Sequence, residues 1–140
     1  MNSNKIQAVI FDLGDVLFTW SISIPDFPLP PKTLKCMLGS ITWFEYEKGN
    51  RTEEQAYTDL ANEFGCSFED VRSAFQMART SLGADPMMWD LVRQLKKSGV
   101  RLYAMSNISA PEWEVLRGAV SLEDWEAFDH VFTSYVFIFI

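Results

Sequence analysis

The stretch KIQAVIFDLGDVLFTW, residues 5–20, decides the fold. Residues 6–11 (IQAVIF) are a short, mostly apolar run that ends at Asp12. Such a run predicts a strand buried on both faces, as in a parallel sheet covered by helices. Two more strands are predicted downstream. Residues 100–105 (VRLYAM) lead directly into Ser106 and Asn107, and residues 130–134 (HVFTS) lie near the C-terminus. In open α/β sheets chemistry gathers at the carboxyl ends of the strands. Asp12 and Ser106 each fall at such an end.

Between the first two strands the pattern turns helical. Residues 21–31 hold Pro25, Pro28, Pro30 and Pro31, which exclude a regular helix and predict a loop. A helix is predicted from near Pro31 to near Gly39, because proline is tolerated in a first turn. Thr52 followed by Glu53 and Glu54 reads as the capped start of a helix that Gly65 stops. Residues 67–82 predict the next, capped by Ser67, with Val71, Phe75, Ala78 and Leu82 at helical spacing. Residues 85–98 predict another, with Met88, Leu91, Val92 and Leu95 on one face, and residues 112–119 one more. Glu123 and Asp124 read as the start of a short helix, where negative charge is favourable. The order strand, helical insert, helix, strand, helix, strand predicts an α/β fold with a parallel sheet.

The 140 residues suit one domain of ordinary size, and 48% hydrophobic with 22% charged residues supports a globular core. A formal net charge of −7 argues against a nucleic-acid partner, which needs a basic surface. No run has the length of a membrane span, and the polar start MNSNKIQ lacks the apolar stretch of a signal peptide. The expected location is therefore the cytoplasm, with no membrane partner. Cys36 and Cys66 lack zinc-site spacing and are too few for a disulfide scaffold, so both are expected as buried thiols.

A carboxylate at the position of Asp12 can attack an electrophile or hold Mg²⁺, a hard cation that takes oxygen ligands. Gly14 lets the backbone turn sharply, so that a main-chain carbonyl faces the same ion. The hydroxyl and amides of Ser106 and Asn107 can cradle a phosphate. From the residues alone, Asp12 reads equally well as a turn cap that follows a strand.

The run AVIFDLGDVLF at residues 8–18 resembles the first motif of the haloacid dehalogenase (HAD) superfamily. YAMSN at residues 103–107 resembles its second motif, a strand closing on Ser or Thr. The helical insert looks like the family's C1 cap, and WFEYEKGNRTEEQAYTDL at residues 43–60 is similar to the E-x-G-x-x-(S/T)-x-E segment of such caps. The resemblance implies a HAD-like Rossmannoid core at residues 1–20 and 84–140, with a helical cap at residues 21–83. It implies Asp12 as nucleophile and Mg²⁺ ligand, the Gly14 carbonyl as second ligand, and Ser106 with Asn107 on the phosphate. FDLGDVLFTW together with YAMSNIS is also similar to fungal HAD-like proteins linked to terpene biosynthesis. The implied reaction is Mg²⁺-dependent hydrolysis of a small phosphate or diphosphate ester, with an isoprenyl diphosphate as one substrate.

Two departures from the family pattern stand out. Phosphatases of the family carry an Asp two residues after the nucleophile as general acid, and here that place is Gly14. Asp15, one residue on, has no assigned role. Without that acid, weakly basic leaving groups such as diphosphates are favoured over simple alkyl phosphates. After HVFTS the sequence continues as YVFIFI, without the family's lysine motif and acidic pair. This predicts an incomplete sheet in a truncated domain of impaired activity, whose apolar tail is a self-association hazard. Two alternatives stand beside phosphate chemistry: a metal-free 2-haloacid dehalogenase, and a non-catalytic degenerate relative. His130, the single histidine, is expected to be structural. Trp20, Trp43, Phe44 and Tyr46 are expected to pack a core ahead of walling a pocket. Glu45, Glu47, Glu53 and Glu54 are expected on a solvated face, with Lys48 and Arg51 as surface charges.

Overall fold

The computed structural model describes residues 6–135. The tail at 136–140, on which the self-association expectation rests, lies outside the described residues. Strand β1 (Ala8–Asp12) is followed by a two-residue strand β2 (Phe18–Thr19). Four helices come next: α1 (Pro31–Leu38), α2 (Ile41–Glu47), α3 (Glu53–Phe64) and α4 (Phe68–Thr80). The chain returns through β3 (Gly83–Ala84) to α5 (Pro86–Lys97) and β4 (Arg101–Ser106). It then runs through α6 (Ala110–Gly118) and α7 (Leu122–Trp125) to β5 (His130–Thr133). β1, β4 and β5 pair in parallel in that order.

Helix ends follow local chemistry. The Thr52 hydroxyl accepts the Gln55 amide at 3.2 Å while the Gln55 side chain accepts the Thr52 amide at 2.9 Å. This reciprocal pair satisfies two amides that would otherwise lack partners. Gly65, at φ +65°, closes α3 in the left-handed region where glycine is favoured. Ser67 caps α4, and Asp85 caps α5 with bonds from Met87 and Met88. Thr52→Ala is expected to cost about 1 kcal/mol, read as a lower urea midpoint at unchanged slope.

β2 and β3 form an antiparallel ribbon missing from the sequence reading, which continued the fourth helix to Leu82. Two-residue strands carry too short a pattern to be seen. The ribbon joins the two chain crossings between sheet and helical insert. Hydrogen bonds extend it: the Ser21 amide donates to the Ser81 hydroxyl at 2.8 Å, and the Asp85 amide to the Leu17 carbonyl at 2.9 Å.

Apolar packing falls into two clusters. One joins the sheet to α5 and α6 through Phe11, Leu102, Trp89, Val92 and Leu116. On α5 the buried residues are Trp89 and Val92, whereas Leu91 is exposed, so the predicted face is rotated. The Trp89 indole donates to the Leu17 carbonyl at 3.1 Å, which draws that face inward. The second cluster lies within residues 21–83, where Trp43, Phe75 and Tyr57 stack at centroid distances of 4.4 and 5.2 Å. Trp43 and Tyr46 are core residues as expected, but Phe44 is exposed.

Three expectations need correction. β1 is not buried on both faces: Ile10 is 61% exposed and its neighbour on β4, Met105, 51%. Side chains alternate across a strand, and the apolar cluster takes Phe11, Leu102 and Ala104 from one face of the sheet, so Ile10 and Met105 fall on the other. Cys36 is exposed on the outer side of the amphipathic helix α1, and Cys66, in the turn between α3 and α4, is half-buried against the second cluster. Gly14 does not take a left-handed conformation, and a Cβ there would meet nothing within 4 Å. The positive φ, +56°, falls on Asp15 instead.

Candidate active site

The strand register brings the predicted residues to one edge of the sheet. Asp12 pairs with Met105 and Ser106 with Thr133, so Asp12 and Ser106 sit at neighbouring carboxyl ends. The apolar β1 run sets this position, with Leu13 fully buried just beyond it. The chain then curls tightly. The amides of Leu17 and Phe18 donate to the Leu13 carbonyl at 3.0 and 2.9 Å, and the Asp15 amide donates to the Phe18 carbonyl at 2.8 Å. This curl holds Gly14 over the sheet edge and leaves the Asp12 side chain exposed, with no hydrogen bond or ion pair among the described residues. The Ser106 hydroxyl has only a long contact, 3.5 Å, to the Asn107 carbonyl and is close to uncommitted.

Gly14, Ser106 and Asn107 line one cavity of about 190 Å³ between the sheet edge and the helical insert. Asp12 itself is not among the lining residues. The opposite wall is largely apolar and includes Trp20, Leu34, Trp43, Phe75 and Leu82. Trp20 and Trp43 therefore do both things weighed for them, packing a core and lining a pocket.

Polar groups in this wall were not legible in the sequence. Glu47 and Glu53 do not lie on a solvated face. Arg79 of α4 forms ion pairs with Glu53 of α3 and Glu112 of α6, and its guanidinium lies 3.3 Å from the Tyr57 hydroxyl. The Tyr46 hydroxyl lies 3.0 Å from Glu112 and 3.2 Å from Glu53. Burial pushes both phenols far above their ordinary range, with Glu112 adding to the effect. Glu47 accepts the Trp43 indole at 2.9 Å. Burial pushes its carboxyl up to about 7, against the indole bond and with help from Glu112. Ser134 joins the two sides: its hydroxyl accepts the Ile108 amide at 3.0 Å and lies 2.9 Å from the Glu47 carbonyl. The available signals were weak. Arg79 directly follows the apolar position Ala78 and lies one helical turn beyond Phe75, and Trp43 and Glu47 are one helical turn apart.

Lys48 pairs with Glu45 at 2.9 Å and Arg51 with Asp59, which leaves both cations at the surface. His130 is exposed at the start of β5, its ring 4.5 Å from that of Phe132. Among the described residues no three His, Cys, Asp or Glu side chains cluster as a metal site, and no helix is long and apolar enough to cross a membrane.

No family model matches the chain. It is 43% identical over 132 residues to the drimenol cyclase drtB of Aspergillus calidoustus, covering 92% of this chain and 24% of that protein. It is 35% identical over 128 residues to the sesquiterpene phosphatase astK of Aspergillus oryzae, covering 91% of this chain and 64% of that protein. The chain thus spans less than two thirds of either relative. Among solved structures, a HAD family enzyme of Bacteroides thetaiotaomicron superposes with a TM-score of 0.65 at 20% identity, over 94% of this chain and 70% of that one. The same enzyme in complex with magnesium and inorganic phosphate gives 0.61 at 18% identity, over 94% and 70% of the two chains. An L-2-haloacid dehalogenase of Xanthobacter autotrophicus gives 0.51 at 16% identity, over 92% of this chain and 57% of that one.

Proposed function

The chain has the haloacid dehalogenase-like fold, and on that premise we propose that it hydrolyses a phosphate or diphosphate ester of an isoprenoid through Asp12. The observation that carries this reading is the register that puts Asp12 and Ser106 at adjacent strand ends, beside a cavity with an apolar wall. Similarity to a sesquiterpene phosphatase supports the substrate class.

The Asp12 carboxylate attacks phosphorus and displaces the leaving oxygen. The resulting aspartyl phosphate is then opened by water. Ser106 and Asn107 hold the phosphoryl oxygens. The donor set fits Mg²⁺ better than zinc: one free carboxylate and a backbone carbonyl, at Asp12 and Gly14, with no cluster of nitrogen or sulfur ligands among the described residues. Mg²⁺ keeps several waters and is commonly held by one or two carboxylates plus substrate phosphate. When bound, it would offset the charge that gathers on the phosphoryl oxygens. Trp20, Trp43 and Phe75 give the hydrocarbon its contact surface. The cavity is below the ordinary ligand-pocket range of about 300–1,000 Å³, so entry of a terpenoid requires the helical insert, residues 21–83, to act as a cap that opens and then closes again over the phosphate end.

The test is phosphate release by the purified chain from isoprenyl phosphates and diphosphates, beside glycerol phosphate. Release that needs Mg²⁺, stops with EDTA and favours the isoprenoids is expected. Preference for glycerol phosphate would sink the substrate class. Among the described residues the cavity offers the dehalogenase alternative no free cation for halide, since Arg79, the cation in its wall, is held by two carboxylates. Metal-free chloride release from 2-chloropropionate would favour it instead.

A further inference from the structure

We propose that Glu47 is the acid that protonates the leaving oxygen, a carboxyl delivered by the helical insert where Gly14 leaves the sheet edge without one. The proposal rests on the phosphoester reading above and deepens it. Glu47 is the last residue of α2, and its placement is fixed twice. Its backbone carbonyl lies 2.9 Å from the Ser134 hydroxyl, which itself accepts the Ile108 amide at 3.0 Å. The end of α2 is thereby pinned to Ser134, just past the end of β5, and to Ile108, just past the end of β4 and close in sequence to Ser106. Its side chain is aimed by the Trp43 indole, which donates to Oε1 at 2.9 Å. Oε2 has no partner among the described residues, and Glu47 lines the same cavity of about 190 Å³ as Gly14, Ser106 and Asn107.

The charged and titratable groups around this carboxyl are Glu112 on α6, Arg79 on α4, Glu53 on α3 and the Tyr46 hydroxyl on its own helix. Arg79 is taken by Glu53 and Glu112, so no cation is left to hold Glu47 ionised. Burial leaves the carboxyl titrating at about 7, which keeps a substantial protonated fraction at neutral pH. A general acid works best when it titrates near the working pH.

An Asp12 oxygen bonds to phosphorus, and the bond from phosphorus to the ester oxygen breaks. Its electron pair goes to the ester oxygen, which takes the proton from Glu47 and leaves as an alcohol. Glu47, now a carboxylate, removes a proton from the water that opens the aspartyl phosphate, which returns both residues to their starting states. An alkyl ester, whose alkoxide leaves poorly unprotonated, thus becomes a substrate. This differs from the expectation, drawn from Gly14 alone, that weakly basic leaving groups are favoured over simple alkyl phosphates.

The test compares Glu47→Gln with the unmutated chain and Asp12→Asn on para-nitrophenyl phosphate and on an alkyl phosphate, with Mg²⁺. The amide oxygen still accepts the Trp43 indole, so folding should be kept. Glu47→Gln should lower alkyl phosphate turnover about 100-fold or more and aryl phosphate turnover by less than about 5-fold. Equal losses on both, with turnover still dependent on Asp12, would overturn Glu47 as the acid and leave the phosphoester reading standing. Turnover by the unmutated chain that is absent, or indifferent to Asp12→Asn, would overturn both. A readout without activity comes from melting. The unfolded chain releases the Glu47 proton near 4.5 and the folded chain near 7, so the folded state binds the extra proton between them. Stability of the unmutated chain relative to Glu47→Gln should therefore fall as pH rises through that interval. A constant difference would contradict the proposal.

Discussion

Asp12→Asn is expected to lower phosphate release from isoprenyl phosphates on the order of 10⁴-fold or more, in line with losses seen when a covalent nucleophile is removed. The amide has nearly the same shape but is a poor nucleophile and a poor ligand for Mg²⁺. The side chain is exposed at the end of β1 and makes no hydrogen bond or ion pair among the described residues. The fold should therefore lose little, and the stability read from urea unfolding should stay within about 0.5 kcal/mol of the unmutated value. That separation makes the variant informative: activity lost without stability assigns chemistry to Asp12. Retained turnover would remove Asp12 as the nucleophile.

Arg79→Met is expected to have the largest effect on stability, a loss of about 2–3 kcal/mol and a melting temperature lower by roughly 7–10 °C. Arg79 is the one cation that faces both Glu53 and Glu112, and its side chain is only 19% exposed. Methionine keeps much of the stem's packing but leaves two half-buried carboxylates facing each other and two buried phenols. Removing one partner of such a network costs more than the network itself contributes, because the remaining charges stay poorly solvated. Arg79 and Glu53 belong to the insert while Glu112 belongs to α6, so the same change should loosen the insert from the sheet edge. Adding Glu112→Gln should recover part of the loss, and a double-mutant cycle isolates that coupling. A change under about 0.5 kcal/mol would mark these as ordinary surface pairs.

The elements legible in the sequence were those set by nearby residues. Thr52, Ser67 and Asp85 cap their helices through their own side chains, and Gly65 ends α3 through its own backbone. The strands that end at Asp12 and Ser106 announced themselves as apolar runs. The rest depended on contacts between distant segments. The ribbon of β2 and β3 exists because the chain crosses twice between sheet and insert, 64 residues apart at Thr19 and Gly83. Glu47 looked like one of several surface carboxylates, and only the approach of Ser134 and of Glu112 on α6 to the end of α2 gives it a partly buried environment. Arg79 reads as a solvent-facing residue until Glu112 is brought to it from 33 positions away. The candidate nucleophile and phosphate site were thus visible, while the groups that surround the leaving side were not.

The most direct test of the Asp12 site is heat unfolding followed by tryptophan fluorescence, with and without Mg²⁺ and orthovanadate, for the unmutated chain beside Asp12→Asn. A ligand present at 100 times its dissociation constant stabilises by about 2.7 kcal/mol. The expected result is a cooperative melt raised by several degrees only when Mg²⁺ and vanadate are present together, and no such rise in Asp12→Asn. An equal rise in both proteins, or none in either, would contradict a Mg²⁺-dependent phosphate site built on Asp12.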